Sequence, residues 1–502
     1  MSLLGLDVGT TGCKASAFSE DGRVLATAYE EYDNQRPQPG WAELDSVDVW
    51  NKVKATIARA ASETHRDPVQ AIAVSSLGEA MVPVSADRRI LAPSILNFDV
   101  RGEEYLERLA SVFDDESLYA INGNTLGNHY ALTKLLWLKH HAPELFEQAH
   151  KFLLWGSFVS FMLGGDCVAD YSLANRTLLF DLERKAWSDD LLGRAGLDAD
   201  KFPDTAPSGT VVGTVNPAIA GELGLPAGVA IVTGAHDQCA NALGCGVIDD
   251  GQAMFGMGTY ICIAPVFAEK RDPNAMIQRG LNTEHHSVPG KYVCFIYNHG
   301  GSLLKWFRDT FAAAEHRAAQ DAGADVYPAL IAEIPDGPST VKVLPHFSIT
   351  GPPEFISDST GVITGLRLET TRGDICKAIL EGAVFYLREC VESLPPTGIA
   401  ITDFRAVGGG SKSDAWLQIC ADILDRPFTR PRITEAGALG AAILAGAATG
   451  VFASHQDGVN TMVHPERTFE PDSAMHARYA PHYDAYRRLW PTIRPWITQP
   501  PQ

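Results

Sequence analysis

The feature that most limits what this chain can fold into is a hairpin that occurs twice. Leu3-Leu-Gly-Leu-Asp-Val-Gly-Thr-Thr-Gly-Cys-Lys-Ala-Ser-Ala-Phe18 reads as an apolar strand, an acidic glycine-threonine turn and a second strand. The order returns 249 residues later in Asp250-Gly-Gln-Ala-Met-Phe-Gly-Met-Gly-Thr-Tyr-Ile-Cys-Ile-Ala-Pro265, where Gly258-Thr259 echoes Gly9-Thr10. A repeat at half the chain length predicts two related domains facing each other. In each turn glycine lets the backbone bend and approach a ligand, and threonine adds a hydroxyl to the exposed N–H groups, which suits a phosphate. The same residues also suit an ordinary hairpin. Gly256 stands where Asp7 stands in the first copy, so only the first hairpin ends its strand on a carboxylate able to face a hydrated Mg²⁺.

With 502 residues the chain exceeds what a single core supports, and two or three domains are expected. The formal charge of −20 and the lack of a Lys/Arg run argue against nucleic acid and anionic membranes as partners and favour small molecules. Nine cysteines without a Cys-x-x-Cys pair predict free thiols in a reducing cytoplasm. No secretory signal pattern opens the sequence. Gly437–Gly450, the most membrane-like stretch, is too short to span a bilayer and reads as a closely packed helix.

Between the repeats, strand and helix alternate. A third strand is predicted over Arg23–Tyr29, a helix over Val47–Ala61, strands at Ala71–Ser75 and Met81–Val84, and helices at Leu132–His140 and Pro143–Ala149. The apolar run Val229–Thr233 predicts a short strand ending at a turn. These elements give an α/β chain with mixed sheets, divided as 1–246 and 247–502.

Three segments carry candidate chemistry. Ile401–Asp422 reads as strand, triple-glycine turn and helix, which presents N–H groups to an anion; it lacks the Walker A spacing and the third glycine of the dinucleotide fingerprint. Asp237, in Gly234-Ala-His-Asp-Gln238, falls at a helix start. It is there either as an N-cap or as the acceptor of a proton from an attacking hydroxyl, and the helix N-terminus is expected to keep it ionised. Gln238, Glu79 and Asp99 are polar groups able to contact a polyol. The pairs His140-His141 and His285-His286 lack metal-ligand spacing.

Taken in order, these motifs resemble the FGGY family of carbohydrate kinases. The resemblance rests on Asp7-Val-Gly-Thr-Thr11, on Gly361-Val-Ile-Thr-Gly-Leu366 followed by Asp374-Ile-Cys-Lys-Ala-Ile-Leu-Glu381, and on Gly408-Gly-Gly-Ser-Lys-Ser through Glu435-Ala-Gly-Ala-Leu-Gly-Ala-Ala442. It covers nearly the whole chain. It implies two ribonuclease H-like domains of the actin/hexokinase ATPase type with the sugar in the cleft between them. Position by position it implies Asp237 as catalytic base and Asp7 as metal contact. Thr10, Thr11, Lys14, Thr259, Gly301, Gly409 and Gly410 are implied as ATP contacts, and Glu79, Asp99 and Gln238 as sugar contacts. The implied reaction is transfer of the γ-phosphoryl group of MgATP to a terminal hydroxyl, by a cytoplasmic homodimer.

The departures concern the sugar. Xylulokinases of the family usually carry Gln-Met-His where this chain has Leu77-Gly-Glu79, and glycerol kinases carry Arg where it has Gly78. Asn97-Phe-Asp99 replaces Trp-Asn-Asp, and His129 aligns with a tyrosine of glycerol kinases. A ketopentose, xylulose first, leads the expected substrates, followed by glycerol, gluconate or another polyol. An actin-like ATPase and a sugar-binding pseudokinase are the readings outside sugar phosphorylation.

Overall fold

A computed structural model describes residues 1–497. Its frame is two mixed sheets of matching design. The first is built on β1 (Ser2–Val8), β2 (Gly12–Ser19), β3 (Val24–Glu31), β4 (Val69–Ser76), β5 (Val211–Thr214) and β6 (Ala230–His236), in the order β5-β6-β4-β1-β2-β3. The hairpin β1-β2-β3 is antiparallel, while β1 runs parallel to β4 and β4 parallel to β6. The second sheet repeats this around β7 (Gln252–Met257) and β8 (Tyr260–Phe267), with β9 (Ile296–His299) beside β8. Beyond β7 lie the parallel strands β10 (Asp403–Val407) and β11 (Phe428–Pro431) and the antiparallel β12 (Pro465–Phe469). The duplication seen in the sequence is therefore a duplication of sheets. They differ in the outermost strand: β5 precedes its neighbour in the chain, whereas β12 follows it.

The alternation of side chains along β1 decides what faces the cleft. Leu4, Leu6 and Val8 pack with the helix α1 (Ser46–Ser62), whose Val49, Trp50, Val53 and Ile57 are buried as its periodicity requires. Asp45 caps that helix by accepting from the N–H groups of Val47 and Asp48. Leu3, Gly5 and Asp7 face the other way, toward two further helices, α2 (Asp237–Gly244) and α3 (Ala436–Ala448). A methyl group on Gly5 would sit 1.8 Å from the carbonyl oxygen of Ala438, and one on Gly440 would sit 2.0 Å from that of Ala240. Small residues let α3 lie directly on β1 and on α2. That seam joins the C-terminal half of the sequence to the first sheet.

The expected strand over Val229–Thr233 needs correction. It runs on to His236 and passes straight into α2. Gly234, read as a turn residue, lies inside the strand because a methyl group there would meet the Val74 oxygen at 1.8 Å. The triple glycine also differs in detail. After Gly408, which has a φ of 84°, a short 3₁₀ turn over Gly409–Lys412 precedes the helix Asp414–Leu424, whose N-cap is Ser413. None of the nine cysteines is in a disulfide. Among the described residues no helix is long and apolar enough to cross a membrane.

Candidate active site

Two acidic side chains stand at the meeting of the sheets. Asp7 lies opposite Lys14 on β2 and Ser75 on β4, and its Oδ1 accepts from the Ser75 hydroxyl at 2.8 Å. A Cβ on Gly437, in the first turn of α3, would sit 3.1 Å from this carboxylate, so the positive end of that helix adjoins it. Burial raises the Asp7 pKa despite Ser75 and Lys14. Asp237 opens α2; its Oδ1 accepts a hydrogen bond from Gln238 Nε2 at 3.1 Å, and His236 Nε2 lies 3.1 Å from the same oxygen. It is pushed up to about 7, first by burial and then by the Asp7 charge. The expected ionised, weak base is thus corrected: desolvation and a like charge outweigh the helix N-terminus and the Gln238 bond.

The phosphate-side residues gather into two turns, one at the hairpin of each sheet. Thr10 and Thr11 form the turn closed by the Gly9 N–H to Gly12 oxygen bond of 2.9 Å, and Tyr32 donates to the Gly9 carbonyl at 2.7 Å. In the second turn, Thr259 and Gly301 are brought together. Gly301 donates to the Gly258 carbonyl at 3.1 Å, Ser302 donates to that of Thr259 at 3.0 Å, and a methyl group on Gly301 would sit 2.4 Å from the Gly258 oxygen. Gly410 packs beside Met257, at the end of the strand that enters this turn, while Gly409 has open space above it. The segment before α3 links the two turns: Thr434 accepts from Gly408 N–H at 3.2 Å, and Glu435 pairs with Lys14. The first N–H groups of a helix have no partner within it, so these turns and helix starts suit a polyphosphate.

The sugar-side residues divide. Glu79 is buried beside Asp237, and its carboxylate contributes to the raised Asp237 pKa. Its Oε1 accepts from Arg176 Nε at 2.8 Å, and Arg176 Nη1 donates to Glu284 at 2.6 Å. Gln238 is partly exposed next to the acidic centre. Asp99 is fully buried. Its carboxylate accepts from the Ala42 N–H and from the N–H, Nε and Nη2 of Arg101, which hold its pKa down against burial. It fixes the loop that carries it and offers no free oxygen.

Sequence reasoning missed Arg176, His236 and Glu284. A methyl group on Gly78 would lie 3.0 Å from His236 Cδ2, 3.1 Å from its Nε2 and 3.2 Å from Arg176 Cγ. The His236 imidazole and the aliphatic stem of Arg176 therefore fill the space that a side chain at position 78 would take. Arg176, a lone cation in the apolar run Ser172–Phe180, was the available signal.

Residues 2–244 match the N-terminal domain model of the FGGY family of carbohydrate kinases, and residues 266–449 match its C-terminal domain model. The chain is 28% identical over 491 residues to a xylulose kinase of Bacillus subtilis, covering 97% of this chain and 96% of that one. It is 30% identical over 495 residues to a glycerol kinase of Ralstonia nicotianae, covering 94% and 95%. The crystal structure of a xylulose kinase from Rhodospirillum rubrum aligns with a TM-score of 0.86 at 28% identity, over 99% of this chain and 100% of that one. With both halves matched in order on a duplicated actin/hexokinase-type frame, the chain belongs to the FGGY family of carbohydrate kinases and is a sugar kinase that uses ATP as phosphate donor.

Proposed function

We propose that the protein transfers the γ-phosphoryl group of MgATP to a terminal hydroxyl of a ketopentose-type sugar, with xylulose the first candidate and glycerol, gluconate or another polyol next. The observation that carries the reading is the Asp7–Asp237 pair, two half-buried carboxylates whose charges act on each other, with Asp7 ending the strand that enters the Thr10-Thr11 turn. Xylulose leads because xylulose kinases are among the relatives that align over nearly the whole chain.

In this reading the sugar hydroxyl approaches Asp237, with Gln238 and the neighbourhood of Glu79 orienting the rest of the polyol. The hydroxyl oxygen forms the new bond to the γ-phosphorus, its proton passes to an Asp237 carboxylate oxygen, and the bond to the bridging oxygen breaks to release ADP. Phosphoryl transfer through a loose transition state demands alignment above all, and the hydrogen bond from Gln238, with the His236 ring packed 3.1 Å from the carboxylate, supplies it at the base. Thr10, Thr11 and Lys14 grip the phosphates from one side, and Thr259, Gly301, Gly409 and Gly410 hold the nucleotide from the other.

The acidic pair also fits Mg²⁺. Among the described residues no cluster of three or more His, Cys, Asp or Glu forms a metal cage. A hydrated Mg²⁺ that arrives on phosphates needs only one or two carboxylates, and Asp7, whose burial is only partly offset by Ser75 and Lys14, is the one we assign to it. Bound there, the cation would neutralise charge on the phosphate oxygens.

The division at 246/247, a cytoplasmic location and a homodimer complete the proposal; sedimentation of the purified protein tests the last. The function itself is tested by sugar-dependent ADP release from MgATP across pentuloses, polyols and aldonates. Release that no acceptor stimulates would leave only an ATPase or a pseudokinase. A companion variant, Glu79→Gln, should alter sugar KM or selectivity more than ATP KM, and an effect confined to ATP would remove Glu79 from the pocket.

A further inference from the structure

We propose that Arg176, held between Glu79 and Glu284, makes the acceptor site selective for uncharged polyhydroxy substrates and closes it to aldonates. This rests on the kinase reading above and narrows it.

Arg176 joins the buried charged groups beside Asp237. Its side chain is only 11% exposed, and those of Glu79 and Glu284 are 7% and 0% exposed. Glu79 accepts from Nε and Nη2, and Glu284 accepts from Nη1 as well as from Asn282 Nδ2 at 2.7 Å. The guanidinium lies over the rings of Tyr130, at 5.0 Å, and Phe295, at 5.9 Å. The other Glu284 oxygen, Oε2, is buried without a hydrogen-bond partner. One guanidinium is therefore shared between two carboxyl groups, Glu79 and Glu284, and burial raises the Glu284 pKa against the pull of Arg176 and Asn282. A substrate carboxylate brought to this place would meet Glu79 and Asp237 with no positive charge left to receive it.

The surrounding cations do not change that balance. Lys134 is buried and gives its protons to the carbonyls of Asp99 and Arg101, both at 2.7 Å. Lys14 is paired with Glu435. His129 and His236 are kept neutral by burial and by the Arg176 charge itself. A neutral polyol asks nothing of this kind, because its hydroxyls both donate and accept, and carboxylate oxygens are suitable partners for them.

Glu284 also ties Arg176 to the rest of the fold. The adjoining residues are bound across the same junction: Thr283 N–H donates to Gly123 O at 2.7 Å, and His285 N–H donates to Asn175 Oδ1 at 3.1 Å. The guanidinium is thus fixed from two parts of the chain, and it cannot swing out to meet an anion without breaking a buried pair.

The test compares kcat/KM, by ADP release, for gluconate and xylonate against neutral pentuloses and polyols on the wild-type enzyme. Aldonate values below roughly one-hundredth of the best neutral substrate are expected from a like-charge encounter. Aldonate values above that line overturn the inference while leaving a sugar kinase in place, and no release with any acceptor removes the kinase reading as well. In Glu284→Gln one carboxyl partner of the guanidinium is gone, and aldonate kcat/KM should rise about tenfold or more with ATP KM unmoved; adding Arg176→Gln should cancel that gain. A folded Glu284→Gln enzyme with no such gain overturns the assignment. If that variant does not fold, the wild-type ratio and calorimetric titration of gluconate into wild-type enzyme decide: absence of heat supports the proposal, and saturable binding defeats it.

Discussion

His236 Nε2 lies 3.1 Å from Asp237 Oδ1, so a buried imidazole steadies the carboxylate assigned to accept the sugar proton. The ring keeps that position only because residue 78 has no side chain. Its neutral form is favoured by burial and by the Arg176 charge.

The first prediction follows from that packing. Gly78→Ala places a methyl group 3.0 to 3.2 Å from His236 and Arg176, tighter than ordinary contact, and the imidazole must shift. We expect kcat to fall about tenfold with ATP KM unchanged, since a small displacement of an aligned group is costly in an in-line reaction. In the double variant Gly78→Ala, His236→Gly, the added methyl group should cost little beyond the loss of the imidazole itself. Steady-state kinetics on the four proteins of the cycle measure the coupling, and additive effects would show that the ring does not act through position 78.

Asp237→Asn keeps the shape of the site and removes the proton acceptor. Turnover should drop by roughly 10²- to 10⁴-fold, the usual contribution of a positioned base. Nucleotide affinity, followed by calorimetry with ADP, should stay close to wild type because the phosphate-side turns are untouched. A variant that retains most of its activity would free Asp237 from the role of base.

The pH dependence has two signatures. With the Asp237 pKa near 7 in the folded protein, kcat/KM should climb as pH rises through about 7 and then level. Stability moves the other way. The native carboxyl holds its proton to a higher pH than the unfolded one, whose ordinary value is 3.8, so stability is greatest below that value and declines as pH rises toward 7. Asn carries no such penalty. At pH 8 the Asp237→Asn protein should be more stable than wild type by on the order of 2 kcal/mol, with a smaller gap at pH 5. Urea denaturation at both pH values measures it, and equal gaps would contradict the shifted pKa.

The two hairpins and the glycine turns were legible because their chemistry is local. Gly9-Thr10, Gly258-Thr259 and Gly408–Gly410 each announce a bend within a few residues, and the apolar runs beside them announce strands. Gly234 was misread for the same reason: nothing near it in the sequence reveals that the Val74 carbonyl of a neighbouring strand needs its space. The proton affinity of Asp237 was misjudged because local sequence displays the helix start but hides the burial of the carboxylate and, second to it, the charge of Asp7 from the other end of the domain. Arg176, Glu79 and Glu284 lie far apart in the chain, and only the folded junction makes them one charged group. Asp99 shows the reverse case, since its saturating partner Arg101 is two residues away and could have been suspected from spacing alone.

The seam between α2 and α3 offers the last prediction. A methyl group on Gly440 would sit 2.0 Å from the Ala240 carbonyl oxygen and 3.1 Å from Gly244 N, so Gly440→Ala must force the two helices apart. Overpacking of this kind costs about 1–3 kcal/mol even after relaxation. Gly221→Ala is the control: it too lies in a helix, with nothing within 4 Å of the added methyl, and the change should be neutral or mildly stabilising. The seam also bears on chemistry. Asp237 begins α2, and Gly437 of α3 adjoins Asp7, so pushing the helices apart moves the base away from the carboxylate assigned to the metal. Gly440→Ala should therefore lower kcat in the protein that remains folded, in addition to lowering its melting midpoint. A loss of stability with kcat intact would mean that the spacing of the two helices does not set the distance between Asp7 and Asp237.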